Sequence, residues 1–293
     1  MKKTVLFLSI LALVVSCKAA MEPIRVQLPG TYWSYTDEDG ASTSIVGFPD
    51  EKHMVVLQLS VKSSAVETLH GTYTTDGHRV EGKGESWGRT VKLVRTFSHL
   101  KTSSTNENMT PLYPKASQLA GSVWGTLVNE YLHVAFFTED SCYDATYKYV
   151  ARGEGQDYGW EWKQADYTLN GNQLDAASFH ATLYDSFMMV DTLGVFRVTP
   201  AVDQAESSAL KGTVWANEGY PGLVVFTSAS DFVRITVYSK NIFLYTSGTY
   251  ELQGTSLSLK WDDIKETCQI EGGRFTIFNN TVNSQTYSKV TFP

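Results

Sequence analysis

Hydrophobic and polar residues alternate along most of this chain, in segments of five to eight residues. Four such segments are Met54–Val61, Tyr131–Phe137, Leu223–Thr227 and Phe232–Tyr238. Alternation places successive side chains on opposite faces of an extended backbone, as in a half-buried β-strand. We find no convincing helical spacing of apolar residues. The pattern therefore predicts an all-β protein with short strands.

Two short motifs recur three times in the same order. The first is Leu-x-Gly-Ser/Thr-x-Trp, and its tryptophans are separated by 91 residues in both intervals: Trp33, Trp124 and Trp215. In the second motif a tyrosine precedes a glycine by four residues, and these tyrosines are Tyr73, Tyr167 and Tyr250. Motifs in a fixed order are the signature of tandem copies of one domain.

The motifs and the polar stretches between them predict the domain organisation. We expect three β-domains, at residues 28–97 (copy 1), 119–200 (copy 2) and 209–293 (copy 3). Residues 98–118 and 201–208 are rich in polar residues and are expected to be linkers.

The second motif predicts a β-hairpin in each copy. Its turns contain the dipeptides Asp76-Gly77, Asn170-Gly171 and Gln253-Gly254. Asp-Gly and Asn-Gly tolerate the positive φ values of a two-residue turn. If these dipeptides form the loops, each tyrosine lies opposite a branched aliphatic residue, in the pairs Tyr73–Val80, Tyr167–Leu174 and Tyr250–Leu257.

The opening Gly-x-x-Trp strand, followed by a meander with a Gly-Thr-Tyr strand, resembles the lipocalin-like (calycin-like) group of small β-barrels. The resemblance implies three tandem antiparallel meander domains, each a small up-and-down β-barrel, with small β-sandwiches as the alternative. A barrel of about eight strands is filled by its own side chains or holds one small ligand. Tandem arrays of such domains in exported lipoproteins fit this group.

Residues 1–16 have the features of a signal peptide, because Lys2 and Lys3 precede the apolar run Val5–Val15. The sequence through Ser16-Cys17 resembles the lipobox of bacterial lipoproteins, which implies that Cys17 is lipidated and that residues 17–27 form a tether. Lys18 beside the cysteine then points to the outer membrane. The protein is therefore expected to be anchored in the cell envelope through its lipid, and the leaflet stays open.

The charge of the chain argues against a nucleic-acid partner. The formal net charge is −7, and removal of Lys2 and Lys3 would leave 22 basic and 31 acidic residues, a charge of −9. Nucleic-acid binding needs clustered basic residues, which this acidic chain lacks. Cys142 and Cys268 occupy unmatched positions of copies 2 and 3, which leaves open whether they are separate thiols or a bridge.

The sequence contains no motif that predicts catalysis, a metal or a cofactor. There is no His-x-x-x-His or Cys-x-x-Cys spacing, no Gly-x-Ser-x-Gly and no phosphate-binding loop. We therefore predict a protein that is not an enzyme, with no catalytic residue, no metal site and no cofactor.

The strongest candidate for ligand binding is an aromatic group in copy 2. Trp160 and Trp162 are two residues apart and so share one face of a strand, and Tyr158 precedes them. On an outer face these rings would stack against a sugar or a partner protein, whereas on an inner face they would be core. Tyr158, Trp160 and Trp162 are the candidate ligand-binding residues.

These features favour a non-catalytic envelope lipoprotein that acts as a binding or interaction module with a protein or glycan partner. A carrier that holds a small apolar or aromatic ligand inside a barrel is the second hypothesis. An enzyme, such as a glycoside hydrolase, is the third. An open cavity would favour the carrier, and converging carboxylates or histidines in a cleft would favour the enzyme.

Overall fold

A computed structural model of the chain describes residues 26–84, 88–96, 98–148, 159–199, 208–278 and 284–291. Within these ranges the regular secondary structure is entirely β, and the strands pair antiparallel as meanders. The predicted all-β fold class is therefore confirmed. No helix in the described ranges is long and apolar enough to cross a membrane.

In the described ranges, each copy contributes eight strands in chain order. In copy 1 these are β1 Thr31–Thr36, β2 Ser42–Phe48, β3 His53–Ser60, β4 Ala65–Thr75, β5 Arg79–Lys83, β6 Val91–Arg95, β7 Leu100–Thr102 and β8 Thr110–Leu112. In copy 2 they are β9 Val123–Val128, β10 Tyr131–Phe137, β11 Ser141–Lys148, β12 Trp160–Asn170, β13 Gln173–Ala176, β14 Phe179–Leu183, β15 Phe187–Val190 and β16 Leu193–Thr199. In copy 3 they are β17 Val214–Asn217, β18 Gly222–Phe226, β19 Asp231–Ser239, β20 Ile242–Gln253, β21 Ser256–Trp261, β22 Ile264–Gln269, β23 Arg274–Phe278 and β24 Ser284–Lys289.

Copy 2 is a closed barrel of eight strands, in which β16 pairs with β9. Copies 1 and 3 have the same meander, but their strands belong to one sheet of 16 strands. The sheet is continuous because residues 65–67 of β4 pair with residues 242–244 of β20. We call this pairing the seam. In the described part of copy 1, an isolated bridge joins Lys101 of β7 to Asn108, two residues before β8.

The segment 98–118, which we expected to be a linker, contains β7 and β8. β7 pairs with β6, and β8 pairs with β1, so both strands belong to copy 1. Each of these strands has only three residues, and Thr110 and Pro111 are exposed. Short strands with exposed side chains have a polar composition, which gave the segment the appearance of a linker.

The opening motif forms a hydrogen-bonded corner at the start of each copy. In copy 3 the Thr213 hydroxyl donates to the Leu210 carbonyl at 2.5 Å and accepts the indole N–H of Trp215 at 2.9 Å. Gly212 has a φ of 75°, which glycine adopts without strain, and its N–H donates to the Phe226 carbonyl. Equivalent indole-to-hydroxyl bonds join Trp33 to Thr31 and Trp124 to Ser122. The motif therefore satisfies the polar atom of a buried tryptophan.

The tyrosine of the second motif packs edge-on against a phenylalanine at the end of the second strand of its copy. In copy 3 the ring centroids of Tyr250 and Phe226 are 4.7 Å apart, and the Tyr250 hydroxyl donates to the Ser228 carbonyl at 2.9 Å. The same ring contacts are Tyr73–Phe48 and Tyr167–Phe137. This second motif is therefore part of the core of each copy.

The predicted cross-strand partners of these tyrosines are wrong by two residues. The tyrosines lie opposite Gly82, Ala176 and Leu259, instead of Val80, Leu174 and Leu257. The reason lies in the turn. In copy 2, Gly171 has a φ of 62° and takes the first loop position, so Asn170 still pairs with Gln173 as part of the strand.

Copy 2 packs across the seam between copies 1 and 3. The Thr68 hydroxyl of β4 donates to the Leu127 carbonyl of β9 at 2.5 Å, and both groups are buried. In addition, the rings of Tyr32 and Tyr184 lie 4.9 Å apart and join copy 1 to copy 2. The copies therefore share apolar clusters on their outer faces in addition to their separate interior cores.

Candidate ligand cavity

The interior of the copy 2 barrel contains a cavity of about 180 Å³. One wall is polar and includes Thr126, His133 and Asp144. The opposite wall is apolar and includes Phe179, Met188, Val190, Leu193 and Val195. A cavity with a few polar groups and an otherwise apolar lining is the usual form of a small-molecule site.

The strand register explains how the polar wall is built. His133 of β10 lies opposite Thr126 of β9 and opposite Thr146 of β11. One step along the barrel, Asp144 of β11 lies opposite Ala135 of β10 and Lys163 of β12. Residues opposite each other in an antiparallel pair share a face, so the alternation that points Ala135 inward also points these polar side chains inward.

His133 is a neutral hydrogen-bonding group in this site. Its Nδ1 lies 3.2 Å from the Thr146 hydroxyl. Burial lowers the pKa of His133, the Asp144 carboxylate opposes this shift, and Lys163 adds to it. Because the pKa falls below its ordinary value of 6.5, the imidazole is uncharged at neutral pH.

Asp144 is the acidic residue of the cavity wall. Burial raises the pKa of its carboxyl group, while His133 and Lys163 oppose the rise. Among the described residues, no basic side chain forms an ion pair with Asp144. A carboxylate that is partly desolvated without a partner is costly, and a ligand with a complementary group would recover this free energy.

The Thr126 hydroxyl adds a second unsatisfied group. The side chain is buried, and its Oγ1 has no hydrogen-bond partner in the described part of the chain. A buried hydroxyl left without a partner costs about 1–3 kcal/mol. A ligand atom or a water molecule in the cavity would satisfy it, because Thr126 lines the cavity.

The equivalent volume of copy 3 is filled by aromatic side chains. The strand register places Phe275 and Tyr287 where copy 2 has Met188 and Val195. The Phe275 and Tyr287 rings stack with their centroids 5.2 Å apart, and both side chains are buried. The cavity of copy 2 is therefore a consequence of smaller side chains on an otherwise shared framework.

The described lining of the cavity contains few ionisable groups. Its described lining contains one carboxylate, Asp144, whereas glycoside hydrolysis commonly uses two. Among the described residues, no group of three or more His, Cys, Asp or Glu side chains could hold a metal ion. Cys142 lies buried in the core of copy 2 as a free thiol, and burial raises its pKa, so it is not an activated nucleophile. Cys268 is also a free thiol, within copy 3.

The candidate residues Trp160 and Trp162 lie on the outer face of the same barrel. Trp160 is opposite Tyr147 and Trp162 is opposite Ala145, both of which belong to the outer cluster shared with copy 3. The two indole rings stack with centroids 5.3 Å apart, and both side chains are half-buried. They do not line the cavity described above. Tyr158 and Cys17, the predicted lipidation residue, lie outside the described residues.

Sequence reasoning missed His133 and Asp144 as site residues. Both stand in segments that otherwise alternate as strands, and only the register shows that they share an inner face. Alternation alone would assign both polar residues to a solvent-facing side of their strands, so the sequence carried no signal that they line a cavity.

No family model and no curated protein matches this chain. Solved structures with matches include the DNA polymerase III subunit beta from Pseudomonas aeruginosa, at 7% identity over 89% of this chain and 92% of that one, with a TM-score of 0.14. The Thermotoga maritima beta subunit matches at 7% identity over 94% of both chains, with a TM-score of 0.15. At these TM-scores the likeness carries no argument about fold or function.

Proposed function

We propose that this protein is a lipid-anchored envelope protein whose second barrel binds one small ligand, with three tandem lipocalin-like domains as the framework. The observation that supports the proposal is the cavity of about 180 Å³ inside copy 2. A cavity of roughly 150 Å³ holds one benzene molecule. The expected ligand is therefore about the size of one ring with a short polar substituent.

The two walls of the cavity define how such a ligand would lie. Its apolar part would contact Met188 and Val195, and its polar part would face His133 and Asp144. The proposal is thus a non-catalytic carrier or sensor of a small amphipathic molecule, held at the membrane by the lipid on Cys17.

Filling the cavity tests the proposal. Val195→Tyr introduces the side chain that copy 3 carries at the equivalent position, so we expect the fold to survive and ligand binding to be lost. Binding of benzyl alcohol and benzylamine to the full chain is measured by calorimetry and by the rise in melting temperature. The control is Leu169→Tyr, at an exposed position of β12. Equal binding by Val195→Tyr and by the unchanged protein would contradict the proposal.

The anchor is tested separately. Cys17→Ser should prevent incorporation of labelled fatty acid and leave the protein in the soluble fraction or unprocessed. Labelled fatty acid that still attaches to this variant would exclude Cys17 as the lipidation residue.

A second candidate function is recognition of a protein at the outer edge of β12. Trp160 precedes Tyr167 by seven residues, as Val66 precedes Tyr73 and Phe243 precedes Tyr250. Val66 and Phe243 are the residues through which copies 1 and 3 join, and no described strand pairs with the equivalent edge of copy 2. An extended segment of a partner would add to this edge as β20 adds to β4. Trp160→Glu introduces a charge at this edge and should abolish such an association, as measured by light scattering or by titration of the partner.

A further inference from the structure

We infer that the ligand of the copy 2 cavity is a small amine, whose ammonium group pairs with Asp144 while its apolar body lies against Met188 and Val195. The inference rests on the proposed function, since it assigns a chemical class to the same cavity. The inference follows from three observations: the negative charge of Asp144 in the cavity wall, the protonation and exposure of the charged or titratable residues around it, and the residues that copies 1 and 3 carry at the equivalent position.

The framework does not require an acid at position 144. Asp144 lies opposite Ala135, and the same register places Val56 opposite Val46 in copy 1 and Arg234 opposite Val224 in copy 3. Val56 is 4% exposed, so an apolar residue fits this position of the meander. The position has three different chemical characters in three copies, and the acidic one coincides with the open cavity.

The groups around Asp144 leave its charge available to a ligand. His133 faces the cavity, and because burial lowers its pKa it is uncharged at neutral pH. Lys163 lies on the neighbouring strand with an exposed side chain, so solvent screens its charge. Asp144 itself has no ion pair among the described residues. A carboxylate in such surroundings complements an ammonium group better than a neutral or anionic one.

Thr126 supplies a second hydrogen-bond acceptor for an amine. Its buried Oγ1 lacks a hydrogen-bond partner within the described ranges and lies in the same wall. A hydroxyl oxygen accepts hydrogen bonds, and an ammonium group has three donors. An amine in the cavity would therefore meet a second hydrogen-bond acceptor besides Asp144, whereas a carboxylate ligand would be repelled by Asp144.

The test uses three probes that share one apolar body: benzylamine, benzyl alcohol and benzoate. With the full chain at neutral pH, calorimetry should give benzylamine an affinity at least about tenfold above that of benzyl alcohol, because hydrogen bonds to charged groups are the stronger class. Benzoate should bind most weakly. Asp144→Asn keeps the shape and removes the charge, so it should reduce benzylamine affinity by about tenfold and leave benzyl alcohol within about twofold.

A second measurement does not depend on a variant that folds. An ammonium group favours the carboxylate form of Asp144, so benzylamine binding should weaken as the pH falls into the range where this carboxyl group is protonated, and binding in that range should release protons. Calorimetry in buffers of different ionisation enthalpy detects this release, and benzyl alcohol should show none.

The outcomes separate this inference from the proposed function. If benzyl alcohol binds as tightly as benzylamine and Val195→Tyr loses both, the inference that the ligand is an amine is refuted, whereas the cavity is still a binding site. Benzylamine binding without proton release, and unchanged in Asp144→Asn, would also overturn it. Failure of all three probes to bind would count against the proposed function itself.

Discussion

Val66 of β4 lies directly opposite Phe243 of β20, and each residue holds the same position in its own copy. Both side chains are fully buried. The flanking pairs are related by the same symmetry: Glu67 faces Ile242 and Ala65 faces Leu244, and Ala65 and Glu67 are the copy 1 equivalents of Ile242 and Leu244. Copies 1 and 3 are therefore joined through the same strand edge of each copy, as the two subunits of a two-fold symmetric dimer are.

The seam should carry a large share of the stability of the packed copies. Phe243→Ala removes a buried ring that contacts copy 2 as well as copy 1, and it should lower the free energy of unfolding by about 3–5 kcal/mol. Denaturant titration measures the loss. The control Val61→Ala changes a residue that is 55% exposed and should have little effect. A Phe243→Ala protein as stable as this control would show that the seam contributes nothing.

The corner hydroxyl of copy 3 should be needed for the buried tryptophan. Thr213→Val preserves shape but removes the acceptor of the Trp215 indole N–H, and it should cost about 1–3 kcal/mol, because that donor stays buried without a partner. Thr213→Ser keeps the hydroxyl and should recover most of the loss. The comparison is made by thermal and denaturant unfolding, and equal stability of the Val and Ser variants would refute this role.

The contact between Gly194 and copy 1 should not tolerate a side chain. A Cβ added at Gly194 would lie 2.9 Å from Cγ2 of Val55 and 3.2 Å from a methyl carbon of Leu57, at the interface of copies 1 and 2. Gly194→Ala should therefore destabilise the protein by about 1–3 kcal/mol. Gly219→Ala is the matched control, because a Cβ there has no neighbour within 4 Å. Both variants are compared by urea unfolding.

Stability should fall in acid because of His70. The backbone N–H of Gly194 donates to Nε2 of His70 at 3.2 Å, so this imidazole must stay neutral. Burial lowers the pKa of His70 from 6.5 to about 4. Between these two values the unfolded chain binds more protons than the folded one, so the stabilisation is present above pH 6.5 and is lost as the pH falls towards 4. His70→Gln should flatten the dependence of unfolding free energy on pH in this window, and an unchanged slope would refute the assignment.

The strand content and the three tandem copies could be predicted from the sequence, because they depend on local alternation and on residues that recur at fixed spacing. Sequence reasoning missed the register of the hairpins, since glycine can hold either position of a two-residue turn and only the observed strand pairs, such as Asn170 with Gln173, decide. It missed the phenylalanine partners Phe48, Phe137 and Phe226, because their distance from the opening tryptophan shortens from 15 to 13 to 11 residues along the chain.

The cavity could not be predicted from the sequence, for a different reason. Its volume depends on Met188 and Val195 replacing Phe275 and Tyr287, and these equivalences emerge only from paired strands. The charge of its wall depends on Asp144 pointing inward, which a single-residue change of register would reverse. Long-range pairing therefore sets the site, whereas the motifs set the framework.

The symmetric seam also has a consequence for how the chain is made. Residues 65–67 of β4 cannot pair until residues 242–244 have been synthesised, which happens much later. Until then copy 1 presents an unpaired edge that matches its own counterpart in a neighbouring molecule, since the seam pairs like positions. Two nascent chains can thus join edge to edge through their first copies, a product that competes with correct closure. Pairing of β20 with β4 within one chain covers that edge and so blocks this association.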